Sequence, residues 1–321
     1  MRVLVTGGLG FIGSATSRGM LANGHDVRIL DSSLAGHGAN ARNVADLAGR
    51  VEIIEGDVRD LDVVRRALDG CDLIVHAAGH SSHTAGIEEP GLDLEHNVRG
   101  VVSLAEAWKE CAPGARLLFL STRGVYGAAQ SIPAAEEAPC DPLGIYEWSK
   151  LAGESFLRTW TRLHDLRMTT LRLTNVYGPG SQLRSPEFGV INWFLGLALQ
   201  GKDIPLFGEG RQRRDLIFID DVVEAIVASA NCAETVGEVY NVGSPVALSL
   251  KALCEAIVAA AGSGRIVFKP YSSNRRRTEV GDFASDVSKL ERATGWRPKT
   301  SLDEGLRESI AYYRTCLDAY L

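Results

Sequence analysis

The sequence predicts an α/β fold in which a parallel β-sheet carries helices on both faces and a smaller α/β domain follows. Short apolar segments alternate with helical stretches through the first half of the chain, and this alternation is typical of parallel sheets. Glycines stand at positions 7, 10 and 13, directly behind the first apolar segment. After about residue 175 the alternation gives way to loops rich in Gly, Pro and Arg, which indicates a second domain.

Six apolar segments are predicted to be strands of the large sheet: 2–6, 26–31, 51–55, 72–76, 115–121 and 167–173. Ligands of open parallel sheets bind at the carboxyl ends of the strands, where this chain places its glycines and its unusual polar residues. We expect residues 1–174 and 215–243 to form the sheet domain. Residues 175–214 and 244–321 are then the smaller, substrate-binding domain.

The motif Thr6-Gly7-Gly8-Leu9-Gly10-Phe11-Ile12-Gly13 predicts a phosphate-binding turn. Glycine is needed where the backbone turns tightly, approaches a diphosphate, or lets a helix lie close to its strand. The N-terminus of the following helix then faces the anion. Asp31 ends the next strand, eighteen residues after Gly13, where a carboxylate accepts both ribose hydroxyls of an adenosine and repels a 2′-phosphate. The sequence therefore predicts a Rossmann-type doubly wound sheet that binds NAD rather than NADP.

Composition argues against several classes of protein. The chain has 321 residues, 45% of them hydrophobic, and a formal net charge of −6, which argues against nucleic acid as a partner. No apolar stretch reaches the ~18 residues of a membrane span, and the first predicted strand begins at Arg2. We therefore expect a cytoplasmic protein without a signal peptide. The six cysteines are scattered without CxxC spacing, so neither a metal site nor a disulfide framework is predicted.

Tyr146 and Lys150 are the predicted catalytic pair. They lie four residues apart in a helical segment, so one turn places both side chains on one face. A nearby ammonium stabilises a phenolate, and we therefore expect Lys150 to lower the pKa of Tyr146. Ser121 and Thr122 end the fifth predicted strand beside the cofactor, where the Thr122 hydroxyl can hydrogen-bond the substrate oxygen that changes charge.

Further motifs are distributed along the whole chain. They include Gly56-Asp57-Val58, His76-Ala77-Ala78-Gly79, Asn97-Val98-x-Gly100, Val125-Tyr126-Gly127, Tyr146-x-x-Ser149-Lys150, Asn175-Val176-Tyr177-Gly178-Pro179-Gly180 and Arg214-Asp215. Together with the glycine motif, they resemble the extended short-chain dehydrogenase/reductase family. In this order they are typical of members that act on nucleotide-diphospho-sugars with a tightly held NAD. The resemblance also implies a homodimer, formed by helices that correspond to residues 93–112 and 146–164.

For the cofactor, the resemblance implies that Asp57 and Val58 border the adenine and that residues 77–79 line the cofactor channel. Lys150 would also hold the nicotinamide ribose, and Asn97 would lie near the site. The predicted cofactor-binding residues are Gly7, Gly10, Phe11, Ile12, Gly13, Asp31, Ser32, Asp57, Val58, Ala77, Ala78, Gly79, Asn97, Ser121, Tyr146 and Lys150.

For the substrate, the resemblance implies that arginines bind the diphosphate, because a planar guanidinium matches phosphate oxygens. Arg214 occupies one such position, and Arg276 is the best match in the second cluster of arginines, residues 275–277. Phe283 would favour a plain hexose over an N-acetylated sugar. Asn175 would touch the diphosphate, and Leu206 and Phe207 would pack against the base. The remaining predicted substrate-binding residues are His80, Ser81, Thr122, Tyr146 and Val190.

The reaction is predicted from the residues that follow Thr122. In the family, the tyrosinate removes a hydroxyl proton while a hydride passes to NAD, and members differ in the next step. A 4,6-dehydratase would carry Asp-Glu directly after the threonine, and a decarboxylating member would carry a glutamate near it. This chain has Arg123-Gly124 instead. Without that acid or base, the expected reaction is 4-epimerisation that interconverts UDP-glucose and UDP-galactose.

Other activities stay open. The stretch His80-Ser81-Ser82-His83 somewhat resembles that of CDP-sugar 2-epimerases, and two histidines there can polarise substrate hydroxyls. A UDP-glucuronate 4-epimerase is a second alternative. A third is an NAD(P)H-dependent 4-ketoreductase, which would consume reduced cofactor. A non-catalytic NAD sensor is disfavoured, because such proteins commonly lose the tyrosine or the lysine and this chain has both.

Overall fold

The central feature of the fold is a seven-stranded parallel sheet, seen in a computed structural model that describes residues 1–34, 36–81, 89–270 and 280–321. Its strands are β1 (Arg2–Thr6), β2 (Asp26–Asp31), β3 (Glu52–Glu55), β4 (Leu73–His76), β5 (Arg116–Thr122), β6 (Arg167–Leu173) and β10 (Val239–Val242). Their order across the sheet is β10-β6-β5-β4-β1-β2-β3. The six predicted strands are confirmed to within one residue at each end. The seventh, β10, was not predicted.

Helices cover both faces of this sheet and build much of the smaller domain. They are α1 (Phe11–Ala22), α2 (Leu61–Ala67), α3 (Pro90–Asp93), α4 (Gly100–Cys111), α5 (Ile145–His164), α6 (Val190–Leu199), α7 (Ile219–Asn231), α8 (Leu250–Ala261), α9 (Ser288–Thr294) and α10 (Leu302–Arg314). A π-helical turn, Leu94–Arg99, joins α3 to α4. Within the described ranges, no helix combines the length and the apolar character needed to cross a membrane.

Two small sheets lie beside the large one. The first contains β7 (Asn175–Tyr177), β9 (Arg213–Phe218) and β11 (Ala247–Ser249), with β9 in the middle. Strand β7 runs parallel to β9, and β11 runs antiparallel to it. The second pairs β8 (Asp203–Phe207) with β12 (Arg265–Lys269) in parallel. The polypeptide therefore leaves the large sheet directly after β6 and returns to it at β10.

Alternate residues of the large sheet pack on opposite faces. Val3 and Val5 on β1 are fully buried in one apolar cluster with Met20 of α1. Leu4, which lies between them, is buried in a second cluster with Trp108 of α4. A third cluster fills the smaller domain between β8, α6, α8 and α10. Burial on both faces explains why the strands are almost continuously apolar.

A buried ion pair fixes α5 against the sheet. The Arg172 Nη2 on β6 lies 2.7 Å from the Glu154 Oε2 on α5, and both side chains are 7% exposed. The same carboxylate accepts a hydrogen bond from the Ser121 hydroxyl near the end of β5. Because Tyr146 and Lys150 lie on the same helix, this pair sets their position relative to the strand ends.

Replacing Glu154 by Ala is expected to destabilise the fold by about 3–5 kcal/mol, because the Arg172 guanidinium would stay buried without its partner. Denaturant titration measures the free energy of unfolding. Asp203→Ala, which breaks an exposed pair with Arg265, is the control and should leave the unfolding midpoint unchanged. A loss below about 1 kcal/mol for Glu154→Ala would show that the pair does not hold the helix.

Candidate active site

Two adjoining cavities open at the carboxyl ends of the parallel strands. The first, of about 280 Å³, runs from the glycine turn past the ends of β5 and β6 to the start of α6. The second, of about 110 Å³, lies between the end of β2 and the loop that follows β3. The two cavities meet at the glycine turn, since both are lined by Gly7, Gly10, His37, Ala77 and Gly79.

Close backbone packing leaves no room for side chains at the glycine turn. A Cβ on Gly7, which has a φ of +69°, would lie 2.8 Å from the backbone of Ala78. A Cβ on Gly13 would overlap the carbonyl oxygen of Gly7. A diphosphate can therefore approach the backbone at the N-terminus of α1, where free N–H groups and the helix dipole favour an anion.

Asp31 lines the second cavity at the end of β2. Its Oδ2 accepts a hydrogen bond from the Leu9 N–H at 2.9 Å, and its Oδ1 accepts one from the Ser33 N–H at 2.9 Å. These bonds orient the carboxylate and tie the glycine turn to β2. Each oxygen keeps a further lone pair, with which it can accept a hydrogen bond from a ribose hydroxyl.

Tyr146 lies at the start of α5 and lines the first cavity together with Thr122. A side-chain hydrogen bond joins these two residues. Burial nevertheless raises the pKa of Tyr146 well above its ordinary value, and the charges of Glu147 and Asp93 act in the same direction. The prediction that the pKa of Tyr146 is lowered is therefore wrong for this structure, because burial outweighs the effects that favour the phenolate.

Lys150 lies one turn further along α5, with its Nζ 4.4 Å from the ring centroid of Phe119. Burial lowers the pKa of Lys150 to about 8, while Glu154 acts in the opposite direction. The ammonium is therefore charged at neutral pH and loses its charge as the pH rises through about 8. Lys150 and Ser121 line the first cavity, at the end where the nicotinamide is expected.

Most of the predicted site residues come together around the two cavities. The first is lined by Gly7, Gly10, Phe11, Ile12, Gly13, Ala77, Gly79, His80, Ser81, Ser121, Thr122, Tyr146, Lys150, Asn175 and Val190. The second is lined by Asp31, Ser32, Asp57, Val58 and Ala78, besides the residues that the cavities share.

Several predicted substrate-binding residues lie elsewhere. Leu206 is 1% exposed and belongs to the core of the smaller domain, and the half-buried Phe207 is not among the described lining residues. Arg214 donates a hydrogen bond to the carbonyl oxygen of Gly281 and is likewise not among them. Arg276 lies outside the described residues.

Phe283 lies in a buried apolar cluster and not beside the sugar, where it was predicted. Its side chain is fully buried in a small cluster with Val125 and Ala134, and its ring stacks on that of Tyr126 with centroids 6.0 Å apart. The Arg123 guanidinium lies 5.1 Å from the Phe283 ring centroid. Because the ring is covered on both sides, Phe283 does not border the sugar end, and the inference about sugar size drawn from it does not hold.

Asn97 positions other residues rather than lining either cavity. Its Oδ1 accepts a hydrogen bond from the His80 N–H at 2.8 Å, and its Nδ2 donates to the His80 carbonyl oxygen at 2.9 Å. The same Nδ2 donates to the Ser149 Oγ at 2.9 Å. Asn97 thus ties the segment after β4 to α5, which places His80 beside the Tyr146 helix. The second histidine of that segment, His83, lies outside the described residues.

The structure also adds lining residues that the motifs did not predict as site residues. The most notable are His37, His96, Arg123, Gln182 and Glu187. His37 stands between glycines at positions 36 and 38, a pattern that indicates a tight loop after β2 and could have been noticed. Gln182 lies in an irregular loop and Glu187 in a single 3-10 helical turn, Pro186–Phe188, and no sequence signal marks either residue.

Comparison with known proteins assigns the family. Residues 3–243 match the model of the NAD dependent epimerase/dehydratase family. The chain belongs to this family. It is 32% identical to a UDP-glucose 4-epimerase of Mycolicibacterium smegmatis, over 98% of this chain and 99% of the relative. It is also 32% identical to a dTDP-glucose 4,6-dehydratase of Streptomyces niveus, over 98% of this chain and 93% of the relative.

A solved structure agrees with this assignment. The UDP-glucose 4-epimerase of Thermus thermophilus in complex with NAD superposes with a TM-score of 0.88. The two chains are 31% identical, and the match covers 98% of this chain and all of the other. NAD is the cofactor of this epimerase/dehydratase family, and the glycine turn, Asp31 and the two connected cavities fit a dinucleotide.

Replacing Gly13 by Ala is expected to expel NAD, because the new methyl group would overlap the Gly7 carbonyl oxygen and push the turn open. Mass spectrometry of the denatured protein measures the NAD that co-purifies with each variant. Gly114→Ala, where a Cβ meets nothing within 4 Å, is the control and should retain NAD like the parent. Full retention by Gly13→Ala would contradict the assignment of the turn as the diphosphate cradle.

Proposed function

We propose that the protein is a UDP-hexose 4-epimerase that interconverts UDP-glucose and UDP-galactose with a retained NAD. The observation that supports this proposal is at the end of β5. Thr122 is hydrogen-bonded to Tyr146, and the residues that follow Thr122 in the sequence are Arg123-Gly124. A 4,6-dehydratase of the family would present Asp-Glu at these two positions. Relatives of both reaction types are 32% identical to this chain, so the residues at the site, rather than overall identity, favour the epimerase.

Three side chains carry the proposed chemistry. In its phenolate form, Tyr146 accepts the proton of the C4 hydroxyl at Oη and returns it after the sugar has presented its other face. Thr122, half-buried beside it, donates or accepts the hydrogen bond to the same oxygen. Lys150 holds the nicotinamide ribose and supplies positive charge below about pH 8. The glycine turn, Asp31 and Lys150 would hold NAD, which would supply the hydride acceptor and donor for C4.

The remaining assignments for this epimerase/dehydratase are proposals as well. Asn175 and Val190 line the first cavity from the smaller domain, which supports their assignment to the substrate. UDP is favoured as the nucleotide by the epimerase relative. We also propose the domain division of residues 1–174 and 215–243 against residues 175–214 and 244–321. A cytoplasmic homodimer formed by the helices around 93–112 and 146–164 is proposed by the family resemblance alone.

The proposed reaction has a direct test. The purified protein is incubated with UDP-galactose and no added cofactor, and the anomeric protons are followed by NMR. The proposal predicts that UDP-glucose accumulates to equilibrium without net formation of NADH. A 4-keto-6-deoxy product would identify a dehydratase instead, and inertness of an NAD-loaded protein toward both UDP-hexoses would overturn the assignment.

Tyr146→Phe is expected to lower kcat by about 10²–10⁴-fold, because the ring would remain without the group that moves the proton. NAD content should stay at the parent level, which separates a catalytic loss from loss of the cofactor. Tyr240→Phe changes a buried tyrosine that is not among the described lining residues; it is the matched control and should keep parental kcat. Retention of turnover by Tyr146→Phe would point to a different proton acceptor.

Arg123 favours a second candidate, UDP-glucuronate 4-epimerisation. Its side chain lines the first cavity immediately after Thr122, and a guanidinium there matches the planar carboxylate of a uronic acid. This candidate predicts that Arg123→Gln raises the KM for UDP-glucuronate about 10–100-fold. Steady-state assays with UDP-glucuronate and UDP-galactose decide the matter, with the exposed Arg292→Gln as the control. An unchanged KM for UDP-glucuronate in Arg123→Gln would eliminate this candidate.

A further inference from the structure

Three histidines from separate segments form a cluster where the two cavities meet. His37 follows β2, His80 follows β4, and His96 lies on the π-helical turn. Their ring centroids are 5.3 Å apart for His37 and His80, 5.6 Å for His37 and His96, and 6.3 Å for His80 and His96. Within the described parts of the chain, no group of His, Cys, Asp or Glu side chains is arranged to hold a metal ion.

His80 is the fixed member of the cluster. Its Nδ1 lies 2.7 Å from the Oδ1 of Asp93, a carboxylate that is fully buried, and its backbone is held on both sides by the Asn97 amide. The rings of His37 and His96 pack against this anchor in tilted arrangements, with interplanar angles of 56° and 36° to the His80 ring. His37 lines both cavities, and His96 lines the second cavity beside Asp57.

The position of His37 coincides with the expected path of the cofactor's diphosphate. The glycine turn borders both cavities, and the N-terminus of α1 attracts a diphosphate to that turn. Two negative charges must be balanced there. The described lining residues of the two cavities include one lysine, Lys150, and one arginine, Arg123. Both line the first cavity at its catalytic end. The second cavity has neither among its described lining residues, so imidazoles are its potential source of positive charge.

Burial and the neighbouring positive charges favour the neutral imidazole at His37 and His96. Burial lowers the pKa of His37, and His80 and Arg59 act in the same direction. Burial also lowers the pKa of His96, helped by Arg59 and opposed by Asp57. Arg59 is paired with Asp57 at 2.6 Å and lies 3.9 Å from Glu95, so its charge is largely balanced. Asp31, on β2, and Asp93, behind His80, are the other carboxylates that face this region.

We propose that His37 and His96, anchored by His80 and Asp93, are cofactor-binding residues that take up a proton when the NAD diphosphate occupies the glycine turn. An entering diphosphate favours the charged imidazole, and by linkage the charged imidazole favours the diphosphate. NAD is therefore held more tightly at low pH and released faster as the pH rises and the imidazoles lose their charge. The proposal depends on NAD binding and not on the sugar reaction, so it stands or falls separately from the proposed function.

Exchange of bound NAD tests the proposal on the NAD-loaded protein as purified. An excess of deuterium-labelled NAD is added, and mass spectrometry follows the release of unlabelled NAD between about pH 6 and pH 8.5. The exchange rate is expected to rise about tenfold across this range, as one proton per cofactor is lost. The double variant His37→Asn with His96→Asn should exchange at the fast, high-pH rate throughout. His164→Asn, on the far end of α5, is the matched control and should follow the parent.

Two results of the exchange experiment would overturn the proposal. One is a parental exchange rate that does not change with pH, and the other is a double variant that keeps the parental pH dependence. Histidine NMR on the unsubstituted, NAD-loaded protein supplies a second readout that needs no variant. At least one ring resonance of the cluster should titrate above the ordinary histidine pKa of about 6.5. If these resonances titrate above this value only after UDP is added to the NAD-loaded protein, the diphosphate they bind belongs to the substrate and the proposal is wrong.

Discussion

The close approach of the glycine turn to the end of β4 is the constraint on which the site depends. Gly7 and Ala78 are so near that a Cβ on Gly7 would lie 2.8 Å from the Ala78 backbone, and the Thr6 hydroxyl hydrogen-bonds both His76 Nδ1 and the Ala78 N–H. This junction aligns the ends of β1 and β4, which are paired in the sheet. The two cavities meet there, so the cofactor path, the histidine cluster and the catalytic end all take their position from one backbone contact.

A second constraint acts along α5 and extends the same alignment to the catalytic residues. Tyr146, Lys150 and Glu154 recur every four residues, so they share one face of the helix. Glu154 binds Arg172 of β6 and Ser121 of β5, which fixes the helix to the strand ends. Burying this ion pair costs free energy, because both charges lose their contact with water. Its effect on the site is to set the distance between α5 and the strand ends that border the first cavity.

The sequence predicted correctly those features of the fold and site that are contained in short local patterns. Strand alternation, the glycine spacing and the Tyr146 to Lys150 spacing are each contained within a few residues, and each was confirmed as a structural feature. The burial of Phe283 depends on contacts with residues more than a hundred positions away, which no local pattern contains. The histidine cluster was missed for the same reason, since each member comes from a separate segment. Resemblance to a family could not reveal it either, because motifs identify what members share.

The spacing of two residues on a helix determines whether their side chains share a face, but it does not determine their pKa values. One turn separates Tyr146 from Lys150, yet the lysine lies over the Phe119 ring, and burial raises the pKa of the tyrosine while lowering that of the lysine. Each group is thereby pushed toward its neutral form by the same dry environment. A proton can move at Tyr146 Oη only if the charge it leaves is balanced within the cavity. The acid–base chemistry of this site therefore depends on the cofactor and substrate that occupy the cavity. A protein that keeps its cofactor bound keeps the cofactor's share of this charge balance between turnovers.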